Sequence, residues 1–185
     1  DGGFDTASTA MQCFGGYGYI EEYGAAQYLR DARIAMIYEG TNGVQAMDLV
    51  GRKLPTDTGR YLRQFFEPVE QFIAAHREHP AMAEFTKPLY VHTKYLQQAT
   101  MWVGTMGYAN PNNAGAGAVE YQKMFALVLF AYIWAQQAHL ALSLRDQDPE
   151  FYDAKLATAR FYFAKILPQT TGLLASITAG ADCVM

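Results

Sequence analysis

The sequence predicts an all-α chain: short helices first, then an up-down antiparallel four-helix bundle. Three observations predict it. Apolar residues recur at three- and four-residue spacing over most of residues 59–179. Proline, asparagine, glycine and aspartate cluster between those stretches, at Pro55 to Gly59, Asn110 to Asn113 and Asp146 to Pro149. No strand alternation, internal repeat or low-complexity segment interrupts the helical pattern.

The first region, residues 1–54, is rich in glycine and tyrosine. Asp5 is placed to cap a helix from Thr6 to Phe14, which Gly15, Gly16 and Gly18 then stop. Residues 19–24 connect to a helix over Ala25 to Ala32, and a third runs from Asn42 to Lys53. The turn-rich seam Pro55 to Gly59 opens the second region, residues 55–185. Its first helix, residues 59–79, aligns Leu62, Phe65, Phe66, Val69, Phe72 and Ile73. The second, residues 81–107, aligns Phe85, Leu89, His92, Leu96, Ala99, Val103 and Met106. The third, about residues 117–145, is apolar nearly all round between Met124 and Ala135, and is expected to be the most buried. The last, about residues 151–179, should kink at Pro168, which lacks an N–H and crowds the preceding turn. Short connections between long helices favour antiparallel neighbours.

Composition narrows the function. Of 185 residues, 51% are hydrophobic and 17% charged, so much of the surface is expected to be covered by a partner or by further chain. The net charge of -4, without a basic stretch, argues against a nucleic-acid surface. Cys13 and Cys183 form no CxxC pair or disulfide framework, which fits a reducing compartment, and a cytoplasmic location is expected. The chain opens on Asp-Gly-Gly, without a signal peptide's basic and apolar regions, and the missing initiator Met fits a fragment, a processed chain or an excised domain. The longest apolar run, Met124 to Ala135, falls short of the roughly 20 residues of a membrane span, so no span is expected.

The chemistry concentrates in residues 12–53. Glu39 stands isolated between Tyr38 and Gly40, after the mostly apolar Ile34 to Ile37. A carboxylate desolvated by such neighbours is a usable base near neutral pH. Gly40 removes a side chain beside it, so a substrate can approach the backbone. Thr41 and Gln45 supply polar groups at a helix start, where free N–H groups suit phosphate or carbonyl oxygens. The bland alternative is a solvated loop glutamate and an N-capping threonine.

The segments "FGGYGYIEEY", "RDARIAMIYEGT" and "TNGVQ" resemble, in order and spacing, the C-terminal signature of acyl-CoA dehydrogenases; acyl-CoA oxidases share much of it. The resemblance covers about residues 5–53 and makes the first region, residues 1–54, the end of that family's catalytic helical domain. It implies an FAD-dependent α,β-dehydrogenation of an acyl-CoA thioester to a trans-2-enoyl-CoA. A carboxylate takes the α-proton, the flavin accepts hydride from the β-carbon, and hydrogen bonds to the thioester oxygen stabilise the developing enolate. Carried over by position, Glu39 is the base and its own N–H an oxyanion donor, and Tyr38 and Gly40 line the acyl pocket. Thr41 and Gln45 resemble flavin contacts. Gln12 and the Gly15-Gly16 turn resemble the segment that touches the adenosine end of a flavin bound mainly by a neighbouring subunit. Some members place the base elsewhere, and the "YEGT" setting argues against that here.

Two departures bear on the reading. Many members carry an acidic residue after the threonine, where this chain has Asn42-Gly43-Val44. The form "TNGVQAMDLVGRKL" resembles a longer subgroup with an extra C-terminal helical domain, which includes 3-methylmercaptopropionyl-CoA dehydrogenases and broad-specificity bacterial acyl-CoA dehydrogenases. Residues 55–185 resemble that extra domain. Second, the family's N-terminal helical domain and middle β-domain, which supply most flavin contacts, are not in this sequence. The expectation is that this chain alone binds flavin weakly or not at all and is inactive. The implied partners of the whole protein are acyl-CoA, an electron-transferring flavoprotein as acceptor, and further copies of itself. The alternatives are an acyl-CoA oxidase, or a structural and oligomerisation module without activity.

Other candidates read as structural. His76 and His79 sit three apart near a helix end with Glu78 between them, a spacing a metal site could use, but no other ligand cluster appears, so a solvated helix end and no metal are expected. His92 lies on an apolar seam and reads as a hydrogen-bonded core histidine. Ala114-Gly115-Ala116-Gly117 follows no strand and reads as close helix packing or a flexible helix start. Arg30 and Asp31 read as an ion pair or helix-end charges, and Trp102 and Trp134 as core or interface.

Overall fold

A computed structural model describes residues 1–182 and 184. Cys183, half of the cysteine reading, lies outside the described residues. The described chain is helical, without strands. It divides into two compact units, residues 1–45 and residues 46 onward.

The first unit holds α1 (Gly2–Cys13), α2 (Gly16–Tyr19), a 3-10 turn (Glu21–Tyr23) and α3 (Ala25–Ile34). Asp5 is not a cap: Asp1 takes that position, and Asp5 sits in the first turn with its N–H on the Asp1 carbonyl, 3.0 Å away. A Cβ added at Gly2 or Gly3 would meet nothing within 4 Å, so space at these positions does not explain the early start. Gly15, at φ +58°, ends α1, whereas Gly16 and Gly18, expected as further stops, lie inside the short helix α2. Gly18 lies so close to the Met11 carbonyl that a Cβ there would collide with it. It is the one buried residue of this unit, whereas Phe14, Tyr19, Tyr23, Tyr28 and Ile34 are more than half exposed. Ordering 45 residues costs about 1–2 kcal/mol each in backbone entropy. One buried glycine cannot offset that, so the unit requires apolar cover.

The second unit is built round α8 (Ala118–Leu144). It packs against α6 (Ala83–Ala109), α9 (Pro149–Phe161) and α10 (Gln169–Thr178), while α5 (Arg60–Ala75) packs on α6. The buried alanines Ala131, Ala135, Ala138 and Ala141 let neighbours approach α8 closely. Two core clusters result. One joins Val69, Phe85, Leu89, Leu156, Phe163 and Leu167; the other joins Val50, Leu96, Tyr121, Met124, Val128 and Ile177. Ring contacts climb α5 and α8 in the same direction: Phe65 to Phe125 at 4.5 Å, Phe72 to Tyr132 at 5.6 Å and His76 to His139 at 4.3 Å. Contacts of α6 with the stretch after α9 and with α10 also climb together, with Phe85 against Phe163 at 5.4 Å and His92 Nδ1 2.5 Å from Thr170 Oγ1.

The breaks have identifiable causes. Asn110 caps α7 (Pro111–Ala116) by accepting the Asn112 N–H at 3.1 Å, and Asp148 caps α9 by accepting that of Phe151 at 3.2 Å. Each is followed by proline at the first helical position, whose absent N–H needs no partner there. Pro68 and Pro88 lie inside α5 and α6, which continue through them. Near Pro168 the chain widens into a π-turn, Tyr162–Ile166, closed by the Leu167 N–H on the Tyr162 carbonyl at 2.9 Å. The predicted kink is thus a π-turn followed by a new helix. Gly117 packs where a Cβ would come within 3.2 Å of the Ile177 Cα, the close helix packing read from its sequence run.

Several buried polar groups in this unit have specific partners, whereas Thr93 Oγ1 and His139 Nδ1 have none among the described residues. The Tyr121 hydroxyl lies 2.7 Å from Thr100 Oγ1, and burial pushes its pKa up to about 12. Tyr162 donates to the Leu127 carbonyl at 2.8 Å, tying the π-turn to α8. The chain end is tied by Asn113, whose Oδ1 accepts the Ala181 N–H at 3.0 Å and whose amide donates to the Met106 carbonyl at 3.4 Å. Asn113→Ala removes both links and is expected to cost about 1–2 kcal/mol. Equilibrium urea unfolding checks this; an unchanged midpoint contradicts it.

Candidate active site

Glu39 lies between α3 and α4 (Asn42–Asp48). After α3 the chain tightens: the N–H groups of Ile37 and Tyr38 both reach the Ile34 carbonyl, at 3.0 and 3.2 Å. It then reverses through two consecutive left-handed residues, Glu39 at φ +46° and Gly40 at φ +85°. For Gly40 this conformation is free; for Glu39 it costs on the order of 1 kcal/mol. Strain of that kind persists where the surroundings over-determine it, and it clusters at functional sites. Here Gln45 donates its side-chain amide to the Glu39 carbonyl at 3.3 Å, and its own N–H to the Thr41 carbonyl at 3.0 Å. The Glu39 N–H has no acceptor among the described residues.

The desolvated glutamate expected from sequence is not found. Glu39 is exposed, as are Ile34 and Ile37, because the apolar stretch faces outward and no described residue of its own unit covers it. Tyr38, Gly40, Thr41 and Gln45 are exposed around it. Gln12, Gly15 and Gly16 are also exposed, at the end of α1, and a Cβ on either glycine would meet nothing within 4 Å. The structure therefore gathers residues 38–45 where the turn after α3 runs into the first residues of α4, and places Gln12, Gly15 and Gly16 at the separate junction between α1 and α2.

Comparison with known proteins decides what this loop belongs to. Residues 65–185 match the family described as acetyl-CoA dehydrogenase C-terminal like, and residues 3–54 match the acyl-CoA dehydrogenase C-terminal domain. The chain belongs to the acyl-CoA dehydrogenase family. It is 34% identical to the 3-methylmercaptopropionyl-CoA dehydrogenase of Ruegeria pomeroyi over 98% of its own length and 31% of that protein's. It is 30% identical to a butyryl-CoA dehydrogenase of Syntrophomonas wolfei over 89% of itself and 28% of the relative. It is 26% identical to the broad-specificity linear acyl-CoA dehydrogenase FadE5 of Mycobacterium tuberculosis over 88% of itself and 28% of the relative. The chain thus spans less than a third of the length of these relatives.

The family implies FAD. The residues present fit a covering surface for it rather than a binding pocket: exposed amides and hydroxyls at Gln12, Thr41 and Gln45, and an unobstructed Gly15-Gly16 backbone. The groove within residues 1–45, lined by Met11, Tyr19, Ile20, Leu29 and Arg30 among others, contains none of these residues.

Gly40→Ala tests the loop. A Cβ at φ +85° would lie 2.9 Å from Gln45 Nε2, so the substitution strains the turn and displaces the Gln45 amide from the Glu39 carbonyl. In the full-length protein it is expected to lower kcat/KM at least about 10-fold with little change in melting temperature. Wild-type kinetics contradict that role for the turn.

Among the other candidates, Asp31 pairs with Gln27, whose amide donates to it at 2.6 Å, and not with Arg30. His92 is the hydrogen-bonded core histidine expected, facing Thr170. His76 and His79 gain a neighbour that sequence spacing did not reveal: His139 of α8, whose ring lies 4.3 Å from that of His76 and 6.5 Å from that of His79. No group of metal-ligating side chains is arranged for a metal among the described residues.

Burial pushes His139 below the ordinary imidazole range, and the neighbouring His76 and His79 push it the same way; burial alone lowers His92. A histidine lowered in the fold takes up its proton mainly on unfolding. Its stabilisation is therefore full above about pH 6.5 and is lost as pH falls through the folded value. The melting temperature is expected to fall between pH 7 and pH 5, and less steeply in His139→Gln. Equal slopes in the two proteins contradict this.

Proposed function

We propose that the full-length protein is an FAD-dependent acyl-CoA dehydrogenase in which Glu39 removes the α-proton of an acyl-CoA thioester. The observation that carries the reading is the left-handed turn at Glu39 and Gly40, inside the segment that matches the acyl-CoA dehydrogenase C-terminal domain. The turn presents a carboxylate, and the Glu39 N–H beside it has no acceptor among the described residues. That combination suits a carboxylate at Cα and a backbone donor at the thioester oxygen, which gains charge as the proton leaves. Tyr38 and Gly40 flank the acyl chain, and closure of the exposed loop by the rest of the protein excludes water. Bound flavin supplies the hydride acceptor for the β-carbon, which gives the trans-2-enoyl-CoA. Gln12, Gly15, Gly16, Thr41 and Gln45 are the residues of this chain that contact it.

An electron-transferring flavoprotein is the proposed acceptor, the protein is a cytoplasmic homo-oligomer, and residues 55–185 serve assembly rather than chemistry. The isolated chain is inactive, and its absorbance spectrum after purification is expected to show no stoichiometric flavin. A full complement of flavin contradicts that expectation. The class is tested on the full-length protein with a panel of acyl-CoA substrates and an artificial electron acceptor. Enoyl-CoA production coupled to the acceptor, without peroxide in air, supports the dehydrogenase reading. Peroxide formation identifies an oxidase, and no acyl-CoA-dependent product overturns both.

A further inference from the structure

The turn that carries Glu39 is closed on itself by local bonds. Gln45 donates its side-chain amide to the Glu39 carbonyl at 3.3 Å, and its N–H to the Thr41 carbonyl at 3.0 Å. These bonds keep the left-handed shape of Glu39 and Gly40, but they do not fix where the turn stands against α1 and α3. Two contacts do, and both come from the start of α1. On the entry side, the Arg33 guanidinium at the end of α3 lies over the Phe4 ring, 5.7 Å from its centre. On the exit side, Asn42 donates its side-chain amide to Asp1 Oδ1 at 2.6 Å. Residues 34–41 are thereby held at both ends.

The Asp1 carboxylate is not used as its place in the helix would suggest. An aspartate just before the first helical residue ordinarily accepts an N–H of the first turn. Asp1 stands at that position and its side chain makes no such bond; it turns to Asn42 instead. Among the described residues 1–45, this is the one hydrogen bond between residues more than six apart in sequence. An ionised carboxylate only accepts, so the Asn42 amide is oriented with Nδ2 toward Asp1.

We propose that Asp1 is a positioning residue for the reaction: through Asn42 it sets the turn so that the Glu39 carboxylate meets the substrate Cα. This role rests on Glu39 being the base, as proposed above, and adds the residue that aims it. Asp1 acts through Asn42 and not by contact with substrate or flavin. Without its bond the turn keeps its shape, because Gln45 still closes it, but it swings as a unit on the backbone to either side. A displacement of about 1 Å at a reacting group costs on the order of 100-fold in rate. The bond is exposed in this chain, where water competes for both groups. It gains weight once the rest of the protein shuts water out.

Exchanging the two side chains tests this. In the full-length protein, Asp1→Ala is expected to lower kcat about 10-fold, with KM within about 2-fold of wild type and flavin retained. Asp1→Asn keeps a side-chain carbonyl that accepts the same hydrogen bond, and is expected to stay within about 3-fold of wild type. Asn42→Asp sets two carboxylates against each other and is expected to lower kcat at least about 10-fold. The exchanged pair D1N/N42D restores one donor and one carboxylate, and is expected to recover kcat to within about 3-fold of wild type. Wild-type kcat in Asp1→Ala overturns the proposal. So does a loss in Asn42→Asp that the exchange does not repair, or loss of flavin in Asp1→Ala. Melting temperature separates failure of this link from failure of the base, because Asn42→Asp should melt below D1N/N42D whatever the reaction. Equal melting temperatures with an inactive Glu39→Gln would remove the link and keep the base. That melting difference with a fully active Glu39→Gln would keep the link, but remove the base and with it the role proposed for Asp1.

Discussion

In the full-length protein, Glu39→Gln is expected to lower kcat at least about 10³-fold while flavin remains bound. Glutamine keeps the size and hydrogen-bonding reach of the side chain but cannot accept a proton. General-base catalysis by a positioned side chain is worth about 10²–10⁴-fold, and the α-proton of a thioester is too weakly acidic to leave unaided. The turn should survive, because the positive φ of Glu39 and the Gln45 link to its carbonyl are backbone properties that glutamine preserves. The signature is therefore a loss of kcat without loss of stability, and a drop smaller than about 10-fold would remove Glu39 from the role of base.

The second large effect concerns the fold. Phe85→Ala is expected to destabilise the helical unit by about 3–5 kcal/mol. Phe85 is fully buried, packs its ring edge against Phe163 of the π-turn, and belongs to the cluster that joins α5, α6, α8 and α9. A cavity there separates elements far apart in sequence, and the loss is a large share of the roughly 5–15 kcal/mol that holds a domain together. Tyr108→Ala is the control: Tyr108 is 95% exposed at the end of the same helix, and its loss should stay within about 0.5 kcal/mol. Equal urea midpoints for the two variants would contradict the packing described.

The helices were legible because their periodic positions are the ones the fold buries. Of the seven residues that spacing puts on one face of the second long helix, Phe85, Leu89, Leu96, Ala99 and Val103 are buried, whereas His92 is half-buried and Met106, near the helix end, is exposed. Capping is legible where proline follows the cap, at Asn110 and Asp148, and not at Asp5, where the helix begins four residues earlier with Asp1 at the cap position. The third helix was read as apolar nearly all round and hence the most buried. It contributes nine buried residues and still leaves Phe130, Ile133 and Leu140 outside, because periodicity shows that a face is apolar and not what covers it.

At the candidate site, composition identified the glutamate but not its conformation. The Glu-Gly pair signals a turn, yet a left-handed Glu39 runs against local preference and depends on contacts such as that of Gln45, six residues on. Its exposure was illegible for the opposite reason: apolar neighbours predict desolvation only where there is chain to fold over them. The meeting of His139 with His76 arises from packing between two helices and has no local signal.

The most direct measurement is the anaerobic half-reaction of the full-length protein, with acyl-CoA mixed against oxidised flavin and the flavin absorbance followed in time. The account predicts that wild-type protein bleaches within a turnover, and that Glu39→Gln, saturated with the same acyl-CoA, stays oxidised at least about 10³ times longer. Bleaching of the variant at the wild-type rate would contradict it, since the α-proton would then be leaving to some other base.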